Sequence, residues 1–112
     1  CGFPEKRSIE YFGTWQSSIS AAAKADNIIC KISGLGMGDN QWTIESIKPY
    51  IMHCIESFGI ERCIWGSNWP IDKLWSSFED VVTAYIKITE HFSMNDKTAL
   101  FNQNATHLYR IW

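Results

Sequence analysis

The sequence predicts an α/β fold with parallel strands, and three observations lead to this prediction. Two short apolar runs, at residues 28–32 and 62–66, have the length and composition of buried strands. A helix-like segment precedes each run, and two more follow the second run. Strands that are joined through helices pair in parallel by right-handed crossovers. Because a parallel sheet is covered on both faces, two strands are too few, and the chain is expected to form part of a larger sheet.

Four helices are predicted from apolar residues at helical spacing and from signals at the helix ends. Pro49 is expected in the first turn of the second helix, with Gly59 as its C-terminal cap. Ser76 with Glu79 predicts a capping box at the start of the third helix, and Ser93 begins the fourth. The predicted helices span residues 8–25, 47–58, 78–92 and 93–101.

The composition is that of an ordinary globular domain, with 112 residues, 46% hydrophobic and 20% charged. The net charge of −2 gives no electrostatic basis for binding nucleic acid or an anionic membrane. No apolar run approaches the roughly 20 residues that span a bilayer, and there is no signal-peptide pattern. The sequence therefore predicts a cytoplasmic protein that binds neither nucleic acid nor membrane.

The four cysteines, Cys1, Cys30, Cys54 and Cys63, form no C-x-x-C pair, and three of them lie in apolar stretches. This pattern predicts reduced thiols in the core of an intracellular protein. The alternatives are a disulfide framework or a zinc site.

Two polar residues at the end of the first strand share one face of it. Side chains alternate along a strand, so Cys30 and Ile32 point to one side while Lys31 and Ser33 point to the other. The apolar side suits packing against helices, and in a barrel the polar side would point inward, near the C-terminal mouth. Lys31 and Ser33 are therefore predicted to bind substrate. The alternative for Lys31 is a solvated lysine at the edge of the sheet.

The stretch "IWGSNWPID" places another polar group at the end of the second strand. Ile64, Gly66 and Asn68 share one face, so Asn68 emerges on the inward side at the C-terminal end. Ligand-binding and catalytic groups of parallel α/β folds cluster at that end. The alternative is that Asn68 only caps a turn before Pro70.

Four stretches, "CGFP", "NIICKISGL", "YIMHCIESFGIERCIWGSNWPID" and "LFNQNATHLYRI", resemble the C-terminal part of the amidohydrolase-related family (Amidohydro_2). This family consists of TIM-barrel hydrolases and includes lactonases that act on sugar lactones and dicarboxylate lactones. The resemblance implies that residues 1–112 are a C-terminal fragment of such a domain, with strands 7 and 8 and helices 6 to 8 of a (β/α)8 barrel. The missing N-terminal part of the barrel would be a necessary partner, and a homo-oligomer is a further option.

The resemblance also assigns roles to single residues. Lys31, Ser33 and Gly34 match the family's strand-7 motif, and Asn68 falls where many members have the aspartate of strand 8. In hydrolytic members that aspartate takes the proton from the attacking water and binds the metal where one is used. The strand-1 His-x-His pair and the histidine before Cys1 are outside these 112 residues, so the fragment is expected to be inactive alone.

An asparagine changes the chemistry that this position can perform, because a neutral amide does not accept a proton at useful pH. Asn68 and Asp72, a replacement carboxylate four residues on, are the candidate catalytic residues. Trp69 is predicted to bind substrate as a wall of the pocket. The alternative for Asp72 is a loop aspartate beside Lys73.

The implied function is part of a hydrolase in which water attacks a lactone or a related C–O or C–N carbonyl of a small-molecule substrate. A divalent metal, Zn or Mn, belongs to the implied family chemistry, but Asn68 does not favour it and no metal ligand is assigned. The alternative is a non-catalytic barrel that binds a small molecule, with Asn68 in place of the catalytic aspartate.

Overall fold

The computed structural model describes residues 1–110. Helices and strands alternate in the predicted order before the chain ends in a helical segment. A single turn of 3-10 helix precedes the second strand (residues 60–62), and another follows it (residues 71–74). The elements are α1 (Ile9–Ala23), β1 (Cys30–Ile32), α2 (Ile44–Phe58), β2 (Cys63–Trp65), α3 (Phe78–Ile88), α4 (Met94–Thr98) and α5 (Asn104–Tyr109).

The two strands form a parallel pair, as the order of elements predicts. Cys30 lies opposite Cys63, and Ile32 opposite Trp65. Helix α2 is the crossover between the strands and packs against both of them, and its Ile51 is fully buried. Within residues 1–110 the sheet has two strands only. No further strand pairs with either of them in this part of the chain, although Cys1 donates hydrogen bonds to the carbonyl oxygens of Lys31 and Ser33.

The start of α2 differs from the prediction, whereas α3 begins at residue 78 as predicted but with a different capping residue. Thr43 and Ser46 form the capping box of α2, so the helix begins at Ile44 and Pro49 lies inside it rather than in its first turn. Helix α3 begins after Ser77, whose hydroxyl accepts a hydrogen bond from the Asp80 N–H. Neighbouring serines compete for this role, and the side chain of Ser76 instead donates to a carbonyl oxygen in the preceding turn.

The final helical segment begins as predicted but ends later. The Ser93 hydroxyl accepts a hydrogen bond from the N–H of Asp96, which caps α4. The helix then continues through a π-helical turn, Ala99–Gln103, into α5, beyond the predicted end at residue 101. Asn104 donates to the carbonyl oxygens of Ile60 and Cys63, at 2.6 and 2.8 Å. A tertiary contact thus ties this polar segment to the start of β2.

The core contains three of the four cysteines. All four cysteines are free thiols. Cys30, Cys54 and Cys63 are buried, which confirms the prediction that they lie in the core. Cys1 is only half-buried. The hydrogen bond to Cys30, together with burial, raises the pKa of Cys54 and of Cys63. Cys54 and Cys63 therefore stay protonated and behave as small apolar side chains.

One arginine closes two helix ends at once. The guanidinium of Arg62 donates to the carbonyl oxygens of Ala23 and Ala25 at the end of α1, and to that of Phe58 at the end of α2. It also donates to Ile28 in the loop before β1. None of the described helices is long and apolar enough to cross a membrane.

Candidate active site

Lys31 and Ser33 lie on the same face of β1, as strand alternation predicts. Lys31 is exposed and Ser33 is buried. Gly66 faces them from the end of β2, where its N–H donates to Ile32 and extends the pairing of the strands. A Cβ atom at Gly66 would lie 2.6 Å from Lys31 Cε and 3.1 Å from Ser33 Cβ. The absence of a side chain at Gly66 therefore leaves the space that Lys31 crosses.

Asn68 follows directly in a tight turn. Its φ of +56° is in the left-handed region, which asparagine tolerates better than most residues. Its carbonyl oxygen accepts a hydrogen bond from the N–H of Asp72, and Ser67 Oγ accepts one from the N–H of Trp69. The ring of Trp69 packs edge-on against Phe78 at 5.4 Å between centroids. Asn68 thus shapes the turn and also faces the cavity described next.

The strand ends enclose an open cavity of about 390 Å³. Lys31 and Ser33 from the first strand, and Asn68 and Trp69 after the second, all line it. The structure therefore brings together four of the five predicted site residues. Lysine is the one charged side chain among the described residues that line this cavity.

Asp72, the fifth predicted residue, lies behind Asn68 and does not line this cavity. It is 4% exposed, and its Oδ1 accepts a hydrogen bond from Asn68 Nδ2 at 2.8 Å. On its other side Asp72 borders a cavity of about 10 Å³, together with Gly34 and Tyr85. Burial raises the pKa of the Asp72 carboxyl, and the hydrogen bond from Asn68 opposes that rise.

The described residues do not fit a divalent metal. They contain no group of three or more histidine, cysteine, aspartate or glutamate side chains placed to hold one. The cavity itself offers a neutral amide and a lysine, whereas Zn and Mn sites need imidazole, thiolate or carboxylate ligands.

Two contributions to the site are not among the residues predicted from the sequence. Tyr109 of α5 lines the cavity, and this helix extends past the predicted end at residue 101; Phe101, Ala105 and Leu108, at helical spacing, are the signal that could have found it. Arg7 donates to the carbonyl oxygen of Leu35 and pairs with Asp39 at 3.9 Å, both in the loop after β1. It also donates to the carbonyl oxygen of Pro4, so it connects this loop to the segment before α1. Arg7 precedes α1 in sequence, so only the tertiary structure shows that it reaches this loop.

Comparison with known proteins identifies the family. The amidohydrolase family model matches residues 1–111. The chain belongs to the amidohydrolase family. Among relatives, an uncharacterised protein, y4mH, of Sinorhizobium fredii is 46% identical over 101 residues. An L-fucono-1,5-lactonase of Burkholderia ambifaria is 31% identical over 109 residues. These matches cover 90% and 87% of this chain but 34% and 35% of those proteins, so the chain spans about a third of their length.

Solved amidohydrolase structures show the same fold. A crystal structure of an amidohydrolase from Burkholderia multivorans with bound HEPES superposes with a TM-score of 0.90 at 23% identity, over 97% of this chain and 42% of that one. A second crystal structure of that protein, with bound zinc, gives a TM-score of 0.88 at 23% identity over 96% and 40%. The neighbours are TIM-barrel proteins, which confirms the predicted mixed α/β class. The assignment to strands 7 and 8 stays a prediction.

Proposed function

We propose that this amidohydrolase chain forms strands 7 and 8 and helices 6 to 8 of a (β/α)8 hydrolase in which water attacks a lactone or a related C–O or C–N carbonyl. The observation that carries the proposal is the meeting of Lys31, Ser33, Asn68 and Trp69 in one cavity at the strand ends. Active sites of TIM barrels lie at this end. Family membership and relatives named as lactonases support the reaction class.

Each residue has a role that its chemistry allows. Lys31 contacts an anionic group of the substrate, and Ser33 a hydroxyl group, through charge and hydrogen bonding. Asn68 orients substrate or water by hydrogen bonding, and Trp69 forms an apolar wall. The predicted role of Asp72 as replacement carboxylate would be exerted through Asn68, because Asp72 borders the small cavity rather than the open one.

The remaining strands of the barrel are proposed to complete the sheet on both sides of this pair. A groove of about 430 Å³ lies beside β1, lined by Cys1, Ile28 and Ile29 among others. Ile28 and Ile29 are each 39% exposed, and a further strand would cover them. Without that strand the site lacks most of its wall, so the 112 residues are expected to be inactive alone. The cytoplasmic location and the homo-oligomer stay predictions.

A second candidate function is a non-catalytic barrel that binds a small molecule. The observation that favours it is the neutral amide of Asn68 at the strand end, where it cannot act as a base. Within residues 1–110, no group of three or more histidine, cysteine, aspartate or glutamate side chains is placed to hold a metal ion that could activate water in its place.

The two functions are separated by a lactone panel, which includes L-fucono-1,5-lactone, assayed on the protein in its full encoded length with and without Zn²⁺ and Mn²⁺. Asn68→Asp would place two carboxyl groups in contact, so it is paired with the double variant Asn68→Asp/Asp72→Asn, which keeps one carboxyl group at the strand end. Asn27→Asp, at an exposed position, is the control.

The hydrolase proposal expects turnover by the native protein and a loss of about tenfold or more in kcat/KM for Asn68→Asp, with Asn27→Asp unchanged. A well-folded native protein that turns over no lactone refutes it. If the native protein is inert and the double variant gains metal binding or activity, the binding function is favoured.

A further inference from the structure

The two polar atoms of the Asn68 side-chain amide have different surroundings. Its Nδ2 donates to Asp72 Oδ1 at 2.8 Å and lies 3.3 Å from the position that a Cβ of Gly34 would take. The nitrogen end therefore faces the protein. No donor within residues 1–110 makes a hydrogen bond to Asn68 Oδ1, and Asn68 lines the open cavity.

The chemistry of the two groups fixes this orientation. An amide has a donor end and an acceptor end, whereas an ionised carboxylate only accepts hydrogen bonds. Asp72 is 4% exposed, and Asn68 makes the one side-chain hydrogen bond that its carboxylate accepts within the described chain. Leaving a buried carboxylate without a donor is costly, so rotation of the amide is opposed.

We propose that Asp72 is a positioning residue, which holds the Asn68 amide with Oδ1 turned to the cavity so that the strand end offers a neutral acceptor to a ligand hydroxyl or a water. This rests on the proposed function only in taking the open cavity as the site. It also explains why residue 68 is an amide. A carboxylate there would bring two carboxyl oxygens about 2.8 Å apart, and one of the pair would have to hold a proton.

The test is direct observation of the Asn68 side-chain amide by ¹⁵N NMR on the protein in its full encoded length. The resonance is assigned by its loss in Asn68→Asp. In the native protein, Asn68 Nδ2 protons are expected to exchange with solvent about tenfold or more slowly than those of exposed Asn27, as the hydrogen bond to a charged acceptor requires.

The variants then separate orientation from simple burial. Asp72→Leu keeps the approximate size of the side chain and removes both acceptor oxygens, so it is expected to shift the Asn68 amide resonances and to remove most of the protection. Asp26→Leu, at an exposed aspartate, should leave the resonances and the protection unchanged. Asn68 protons that exchange as fast as those of Asn27 overturn the proposal, as does protection that survives Asp72→Leu.

The native measurement needs no variant to fold and no turnover. A lactone panel without activity, together with a protected Asn68 amide, would sink the hydrolase function and keep the positioning role. Turnover together with an unprotected Asn68 amide would support the hydrolase function and refute the positioning role of Asp72.

Discussion

Replacing Arg62 by methionine should destabilise the fold, because the arginine donates hydrogen bonds to carbonyl oxygens at the ends of two helices. Neither α1 nor α2 has a basic residue in its last turn. The guanidinium donates to Ala23 at 2.8 Å and to Ala25 at 2.9 Å at the end of α1, and to Phe58 at 3.1 Å at the end of α2. Methionine keeps the apolar stem and removes every one of these hydrogen bonds.

The expected loss in the free energy of unfolding comes from the hydrogen bonds of Arg62 that water replaces poorly. A hydrogen bond to a charged group contributes about 1.5–3 kcal/mol. Arg62 is only half-buried, and Ile28, a further acceptor, is exposed, so water substitutes for part of the loss. Two bonds at the low end give a loss of about 3 kcal/mol for Arg62→Met. Arg62→Lys should cost about half as much, since an ammonium keeps the charge but not the planar fork.

Urea unfolding followed by tryptophan fluorescence measures this difference. With a slope of about 2 kcal/mol per molar urea, the midpoint of Arg62→Met should fall by about 1.5 M. Arg110→Met is the matched control, because Arg110 is exposed. A loss below about 0.5 kcal/mol in Arg62→Met, or an equal loss in the control, would refute the reasoning.

Three further predictions concern the frame of the site. Gly34 has a φ of +70°, so Gly34→Ala should lower the free energy of unfolding in urea by about 1–2 kcal/mol or more. Gly13 lies in α1 with open space around it, so Gly13→Ala should raise that free energy by about 0.5–1 kcal/mol. Changes of the same sign in the two variants would contradict this prediction. Gly66→Ala should displace Lys31 and weaken ligand binding or kcat/KM about tenfold, with a small change in stability; unchanged binding would exclude the close packing. Asn104→Ala should cost about 2 kcal/mol through two lost hydrogen bonds, and a neutral result would show that α5 does not anchor β2.

The sequence predicted what depends on local periodicity. Alternation along the first strand placed Lys31 and Ser33 on one face, and the structure puts both on the same cavity. The position of Asn68 directly after a buried strand placed it at the strand end, where it lies. The order of helices and strands predicted the parallel pair, because a crossover helix leaves the chain no other direction to return.

The end of the last helix depended on contacts with distant segments. The segment 102–104 is polar, so the helix is predicted to end at residue 101, yet it continues, and Asn104 within it donates hydrogen bonds to Ile60 and Cys63. Pro49 was placed in a first turn because proline is common there, whereas the capping box of Thr43 sets the start three residues earlier.

By itself, the sequence determined the parallel α/β order and brought Asn68 to the mouth of the strands, because side-chain alternation and helix ends are local properties of the chain. Only the tertiary structure decided what Asn68 does there. It placed Asp72 behind the amide at 2.8 Å and turned the donor end away from the cavity. A polar side chain takes its role from the partner it meets, and the fold of the whole turn decides that partner.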